Sequence, residues 1–391
     1  MDPVTGNTAG GAAGRTRRGV GLACLAAAVL LGGWYLAEGR WLMALAVGGA
    51  SAAVYLAFRL PPGRYLVFAT AAVALSTLAT LGAVGVLDVY LHHRYEDRGG
   101  FNIWGYRGAT LPSKAPGERR VAVLGGSTAF GYGVGVDETI PAYLERDLAG
   151  RLASTPVHVV NLAWNGQGAR SFRFNLQAYD YLDYDTVVLY SGYNDLFYNP
   201  DSFREQSAIF RLTGYLPILP VVPVREWLHI GDLSDTRDER VVFEHTLKER
   251  YAAEAADTAL RISRELERQI GRLTPEAAAS DPSASPSDCG ERWGFYCGQI
   301  HDAVSYALTR GKTVFVVTQP YISDQHVAQQ SALAGMLRRQ FADDPRVHYV
   351  NLGRTLALTD RTLCYDGMHL TPAGNARVAD ALAAAIAEAG R

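Results

Sequence analysis

Val121-Ala122-Val123-Leu124-Gly125-Gly126-Ser127-Thr128-Ala129-Phe130-Gly131 changes character twice within eleven residues. Its first four residues are apolar on both faces of an extended chain and too few for a stable helix, so they read as a strand buried on both sides. Two glycines then permit a tight turn. The small residues after Ser127 read as the start of a helix. Other short, β-branched runs follow the same plan: Val157–Leu162, Thr186–Ser191, Thr313–Thr318 and Val347–Asn351. Helical patterns are expected between and after them at Ile140–Leu152, Ser171–Tyr181, Cys297–Arg310, Gln325–Phe341 and Pro372–Ala389. Strands that alternate with helices and are apolar on both faces predict a parallel sheet between two helical layers, a three-layer α/β/α domain over residues 119–391.

One crossover breaks the rhythm. Roughly 120 residues separate the third and fourth strands, where a compact connection needs far fewer. A mainly helical insertion is therefore expected at about 200–297. It contains an apolar, proline-broken segment, Tyr215–Ile230, then a helical stretch, Val242–Leu273, and a Ser/Pro/Ala loop, Thr274–Ser287. Tyr215–Ile230 is either a lid or membrane-dipping element or the insertion's own core, and the second reading is preferred. Upstream, residues 92–118 form a Gly/Arg-rich connector without periodicity, expected to run over the domain surface.

The N-terminal part has a different composition. After a tail at residues 1–18, apolar stretches at about 20–37, 41–58 and 65–87 each carry no Asp, Glu, Lys or Arg and have the length of a membrane-crossing helix. Small residues such as Gly48-Gly49-Ala50-Ser51 would let them pack closely. A three-helix transmembrane module over 19–91 is expected. Arg15, Arg17, Arg18, Arg59 and Arg64 lie on one side of it, and the positive-inside rule makes that side cytoplasmic. Three crossings then place the domain after residue 91 outside. A cleaved signal peptide is the rival for the first stretch, but two further spans follow at once. Failure of one Ala/Gly-rich span to insert would reverse the side. His92-His93 has no ligand pattern around it that suggests a metal.

The formal net charge of −2 provides no basic footprint, so nucleic acid is not an expected partner. Four cysteines are too few for a disulfide scaffold. Cys289 and Cys297 bracket a short polar loop; they pair if that half faces an oxidising compartment and are unrelated thiols otherwise.

Acyl transfer through serine requires a sharply presented hydroxyl, a base, a group that orients the base, and donors for an oxyanion. Candidates for all four lie at or just beyond the ends of expected strands. Ser127 follows the first strand, and its own N–H can face an oxyanion. The glycines before it also suit a phosphate loop, but the lysine of a P-loop is missing. Asn161-Leu162-Ala163-Trp164-Asn165-Gly166-Gln167-Gly168 follows the second strand and offers the Gly166 N–H. Gly192-Tyr193-Asn194-Asp195 follows the third and offers the Asn194 amide. In Tyr365-Asp366-Gly367-Met368-His369-Leu370-Thr371-Pro372, Thr371 and Pro372 read as the start of the last helix. His369 is then free to face Ser127, with Asp366 placed to hold its Nδ1–H. An α/β-hydrolase elbow is the rival for Gly125–Ala129, but there the acid and histidine normally come from separate loops. Cys364 reads as a packed thiol and Asp195 as structural.

These four segments, in this order, resemble the blocks of the SGNH (GDSL-like) hydrolase superfamily. The resemblance covers about residues 119–195 and 312–385. It implies a flavodoxin-like sheet and a triad of Ser127, His369 and Asp366. It also implies an oxyanion hole made by the Ser127 N–H, the Gly166 N–H and Asn194, with no metal or organic cofactor. The serine block departs from the family's Gly-Asp-Ser-Leu and reads Gly-Gly-Ser-Thr. The implied activity is hydrolysis or transfer of an ester-linked acyl group, with acetyl on an envelope or exported glycan as first choice. A lipase or thioesterase on lipid substrates and a non-catalytic glycan-binding or assembly subunit are the alternatives, and a membrane-bound acyltransferase is a partner the resemblance allows.

Overall fold

The computed structural model describes residues 62–95, 100–152, 155–196, 202–219 and 289–390. Residues 62–87 belong to one unit, and the other described residues to a second that holds the whole sheet. The expected spans at 20–37 and 41–58, the tail at 1–18, the stretch Val242–Leu273 and the loop Thr274–Ser287 lie outside the described residues.

The third expected span is a helix, α1 (Pro62–Tyr95). Its stretch Phe68–Arg94, 27 residues, is long and apolar enough to cross a membrane. Val73, Leu75, Leu78 and Val86 are each about two-thirds exposed or more along it. At the end of this helix the character reverses. Asp88, Leu91 and His92 are buried in the second unit. The Asp88 carboxylate accepts from the Ile218 and Leu219 N–H groups at 3.0 and 2.8 Å and from the Tyr215 hydroxyl. The ring nitrogens of His92 each lie 2.7 Å from a backbone carbonyl, those of Phe101 and Leu216.

In chain order the second unit continues with β1 (Arg119–Gly125), α2 (Ser127–Phe130), α3 (Ile140–Arg151), β2 (Val157–Asn161), α4 (Phe172–Ala178) and β3 (Thr186–Ser191). Next come the short helices α5 (Phe203–Gln206) and α6 (Ala208–Thr213). It closes with α7 (Gly290–Thr309), β4 (Thr313–Thr318), α8 (Asp324–Gln340), β5 (Val347–Asn351) and α9 (Pro372–Ala389). The sheet order is β2-β1-β3-β4-β5, parallel throughout. Side chains alternate faces along each strand; β1, β3 and β4 are buried on both faces, and the edge strand β5 is half-buried. Ala122, Leu124, Val187, Leu189, Val314 and Val316 face a core shared with α4, α7 and α8. Val121, Val123, Val188, Tyr190, Phe315 and Val317 face a core shared with α3 and α9. This is the three-layer arrangement read from the apolar runs. The chain steps from β1 to β2 and then crosses to β3 on the other side of β1, so the order reverses beside β1, where open α/β sheets hold ligands.

One feature differs from the sequence reading. The connector was expected on the surface, yet Asn102, Tyr106 and Arg107 are buried. Its polar backbone is satisfied inside: Asn102 bonds the Gly108 carbonyl and the Trp104 N–H, and the Arg107 N–H donates to the Asn161 carbonyl. The start of the insertion covers this segment, with the Leu216 N–H donating to the Ile103 carbonyl. Within Tyr215–Ile230 the described residues reach Leu219, and Leu216, Ile218 and Leu219 are buried. Over these residues the segment is core. Cys289 and Cys297 form a disulfide, and Cys364 is a buried free thiol.

Candidate active site

Ser127 stands at the mouth of the reversal point. β1 ends at Gly125, where an added Cβ would lie 2.7 Å from both the Ala129 Cβ and the Tyr190 carbonyl oxygen. Gly126 is extended, and Ser127 opens the single turn α2. Gly131, in the left-handed region at φ 87°, closes that turn. The N–H groups of Gly131 and Tyr132 both donate to the Ser127 carbonyl at 2.9 Å. Ser127 is half-buried, with its hydroxyl toward the loop before α9.

That loop is built around Asp366. One carboxylate oxygen accepts from the Met368 and His369 N–H groups at 2.9 and 2.7 Å, and the other lies 2.6 Å from His369 Nδ1. Gly367, at φ 88°, supplies the turn between them. Thr371 caps α9 by accepting from the Gly374 N–H at 3.2 Å. His369 Nε2 lies 2.8 Å from Ser127 Oγ. Burial works to raise the Asp366 carboxyl, but the hydrogen bonds from the His369 ring and from the His369 and Met368 N–H groups outweigh it. They hold the carboxyl below its ordinary value. An ionised carboxylate only accepts, so Nδ1 carries the proton and Nε2 is the acceptor for the Ser127 hydroxyl.

The other two expected segments meet beside the serine turn. The Trp164 N–H donates to the Gly125 carbonyl at 3.1 Å, which sets the glycine segment alongside β1. Gly166 sits in the turn that follows, exposed and at φ 73°. The Asn194 amide donates to the Gln167 carbonyl at 2.8 Å. A Cβ on Gly126 would fall within the atoms of that same amide. Asp195 accepts from the Ala169 N–H at 2.8 Å, a structural contact. Ser127, His369 and Asp366 are thus in hydrogen-bond contact, and Gly166 and Asn194 lie on the turns that adjoin them. Cys364 is buried, and burial pushes its thiol up, the opposite of what a nucleophilic thiol needs.

Several residues that shape the site carry no pattern in the sequence. Arg107, from the connector, donates to the carbonyls of Phe130, Gly131 and Val134 at 2.5, 2.7 and 2.6 Å, bracing the serine turn from behind. Burial lowers its guanidinium to about 10. Arg204, fully buried in α5, donates to the Leu162 and Ala163 carbonyls at 2.7 and 3.3 Å and so braces the glycine segment. The rings of Tyr132 and Tyr365 pack near that of His369, with centroids 4.9 and 5.9 Å away.

The GDSL-like lipase/acylhydrolase family matches residues 123–377, more than half of the 391-residue chain. Among solved structures, a Clostridium thermocellum family 3 carbohydrate esterase is similar at 13% identity and TM-score 0.37, covering 69% of this chain and 99% of that one. LAE5, an alpha/beta hydrolase enzyme from the metagenome of Lake Arreo, is similar at 15% identity and TM-score 0.33, covering 68% and 94%. The lipase Lip_vut3 from a goat rumen metagenome is similar at 14% and 0.32, covering 68% and 97%. No curated protein matches the chain. On the family match, this chain belongs to the GDSL-like lipase/acylhydrolase family within the SGNH hydrolase superfamily and is an ester-hydrolysing enzyme.

Proposed function

We propose that the chain is a membrane-anchored serine esterase that removes or transfers an acyl group, most simply acetyl, on an envelope or exported glycan. One observation carries the reading: Ser127 Oγ, His369 and Asp366 are joined by contacts of 2.8 and 2.6 Å in the order a Ser-His-Asp triad needs. His369 Nε2 takes the Ser127 proton as Oγ attacks the acyl carbonyl, and the carbonyl oxygen becomes an oxyanion. The Ser127 N–H, the Gly166 N–H and the Asn194 amide stabilise it. Collapse expels the sugar alcohol, protonated by His369, and leaves an acyl-serine. Water, or an acceptor hydroxyl, then attacks with His369 again as base, which frees the acid or the transferred ester. Asp366 holds the ring and stabilises the imidazolium throughout.

The apolar stretch Phe68–Arg94 supports anchoring, and the Cys289–Cys297 disulfide supports an oxidising, extracytoplasmic site for the domain. The lipid-ester alternative relied on an exposed apolar lid, and the burial of Leu216, Ile218 and Leu219 takes support from it over that stretch. The test is hydrolysis of p-nitrophenyl acetate by the full chain beside Ser127→Ala, followed by acetylated glycan with and without acceptor. Turnover that vanishes in the variant is expected. Wild-type turnover retained by Ser127→Ala would remove the reading.

A further inference from the structure

Gln319, the residue after β4, is 2% exposed and uses both ends of its amide. Its Nε2 donates to Thr128 Oγ1 at 2.6 Å, and its Oε1 accepts from the Tyr193 N–H at 2.8 Å. Thr128 directly follows Ser127, and Tyr193 directly precedes Asn194. One buried side chain therefore spans the gap between the serine turn and the asparagine loop. The loop is tied down again on the same side, where the Tyr193 hydroxyl donates to the Pro320 carbonyl at 2.5 Å. A terminal amide is the group that can do this, since it offers a donor and an acceptor from one planar end. Leucine or methionine would offer neither, and would leave the Tyr193 N–H without its acceptor. The departure of the serine block from its family form also acquires a reason. A leucine after the serine would give Gln319 nothing to bond, whereas Thr128 presents an oxygen.

We infer that Gln319 is a positioning residue for acyl transfer, fixing the separation between the Ser127 N–H and the Asn194 amide through Thr128 and Tyr193. The inference rests on the reading of Ser127 as nucleophile and Asn194 as oxyanion donor. Donors aimed at a developing charge lose most of their effect when displaced by a fraction of an ångström, so the cost falls on the transition state and not on substrate binding.

The test uses the full chain with Gln319→Leu, Thr128→Val and Thr128→Ser, and with Ser127→Ala as reference. A fluorophosphonate, taken to completion, counts the competent serines in each preparation, and rates are expressed per labelled site. Gln319→Leu is expected to lower kcat on p-nitrophenyl acetate roughly 10–100-fold with KM within about 3-fold. Affinity for a boronic acid that mimics the tetrahedral adduct should weaken by the same factor. Thr128→Val should reproduce part of the loss, and Thr128→Ser, which keeps the oxygen, should lose less. Combining Gln319→Leu with Thr128→Val should cost little beyond Gln319→Leu alone, because the contact that Thr128→Val removes is already gone in Gln319→Leu. Fewer labelled sites with an unchanged rate per site would reduce Gln319 to a folding role and overturn the inference. Unchanged kcat and boronate affinity beside an inactive Ser127→Ala would overturn it while leaving the esterase reading intact. Should Gln319→Leu not fold, Thr128→Val decides alone, and no kcat loss there would sink the idea.

Discussion

The amide of Asn194 occupies the space a side chain on Gly126 would need, and this fixes what the serine turn tolerates. Gly126→Ala should push that amide from the Gln167 carbonyl and lower kcat roughly 100-fold, read per fluorophosphonate-labelled site. In the proposed mechanism Asp366 works by orientation and by charge. Its carboxyl is held below the ordinary value by the His369 and Met368 donors, so it is ionised wherever a free carboxylate is ionised. The stabilising contribution is present above the ordinary carboxylate value and is lost as pH falls through the lowered one. Asp366→Asn would present a donor or a weaker acceptor to Nδ1 and disturb the tautomer. A fall in kcat of about a thousand- to ten-thousand-fold is expected, with the competent-site count retained. Ser127, Asp366 and His369 were legible in the sequence because each sits beside glycine, proline or a capping threonine that betrays the turn. Arg107 and Arg204 were not, since an arginine that bonds only distant carbonyls leaves no local periodicity.

Among the elements, α8 carries a group whose titration should be visible. His326 is buried in it, between the rings of Tyr193 and Tyr321, and its ring nitrogens have no hydrogen-bond partner among the described residues. Burial lowers it to about 4 from 6.5. Between those values the unfolded chain binds a proton that the folded chain refuses, so stability should fall as pH drops from about 6.5 toward 4. The loss should be on the order of 2–3 kcal/mol. His326→Phe should flatten that part of a Tm-against-pH curve if the ring fits, and a slope unchanged by the substitution would assign the effect elsewhere. α7 begins at Gly290 although the sequence pattern starts the helix at Cys297. Gly290 and Gly294 disfavour helix locally. The Cys289–Cys297 bridge and the contact of the Tyr296 hydroxyl with Ser191 at 2.8 Å, neither visible as periodicity, override them. Cys289→Ser with Cys297→Ser should lower stability by about 2–3 kcal/mol, the loop-closure value for a short loop, measured as Tm with and without reductant. The strands, by contrast, were legible to within a few residues: β1, β3 and β4 are buried on both faces, and the half-buried edge strand β5 is still rich in β-branched and aromatic residues.

For the whole molecule, the exposed apolar surface of α1 is the feature water would not tolerate. The full chain should stay with the membrane fraction through high salt and alkaline carbonate and leave it only in detergent. Release by salt alone would make α1 a partner-binding helix. Its run of Val and Leu was plain in the sequence, whereas the burial of Asp88 and His92 in its last turns was not, because their partners lie at residues 215–219 and 101. The serine and histidine that meet at 2.8 Å are 242 positions apart. All five strands precede Asp366 and His369 in the chain. During synthesis all five strands therefore emerge before the loop that carries Asp366 and His369, and the Ser127 hydroxyl meets the His369 ring only once that loop has closed on it. On the proposed triad, the nucleophile would gain its base only with the last βα crossover, after every strand of the sheet has been made.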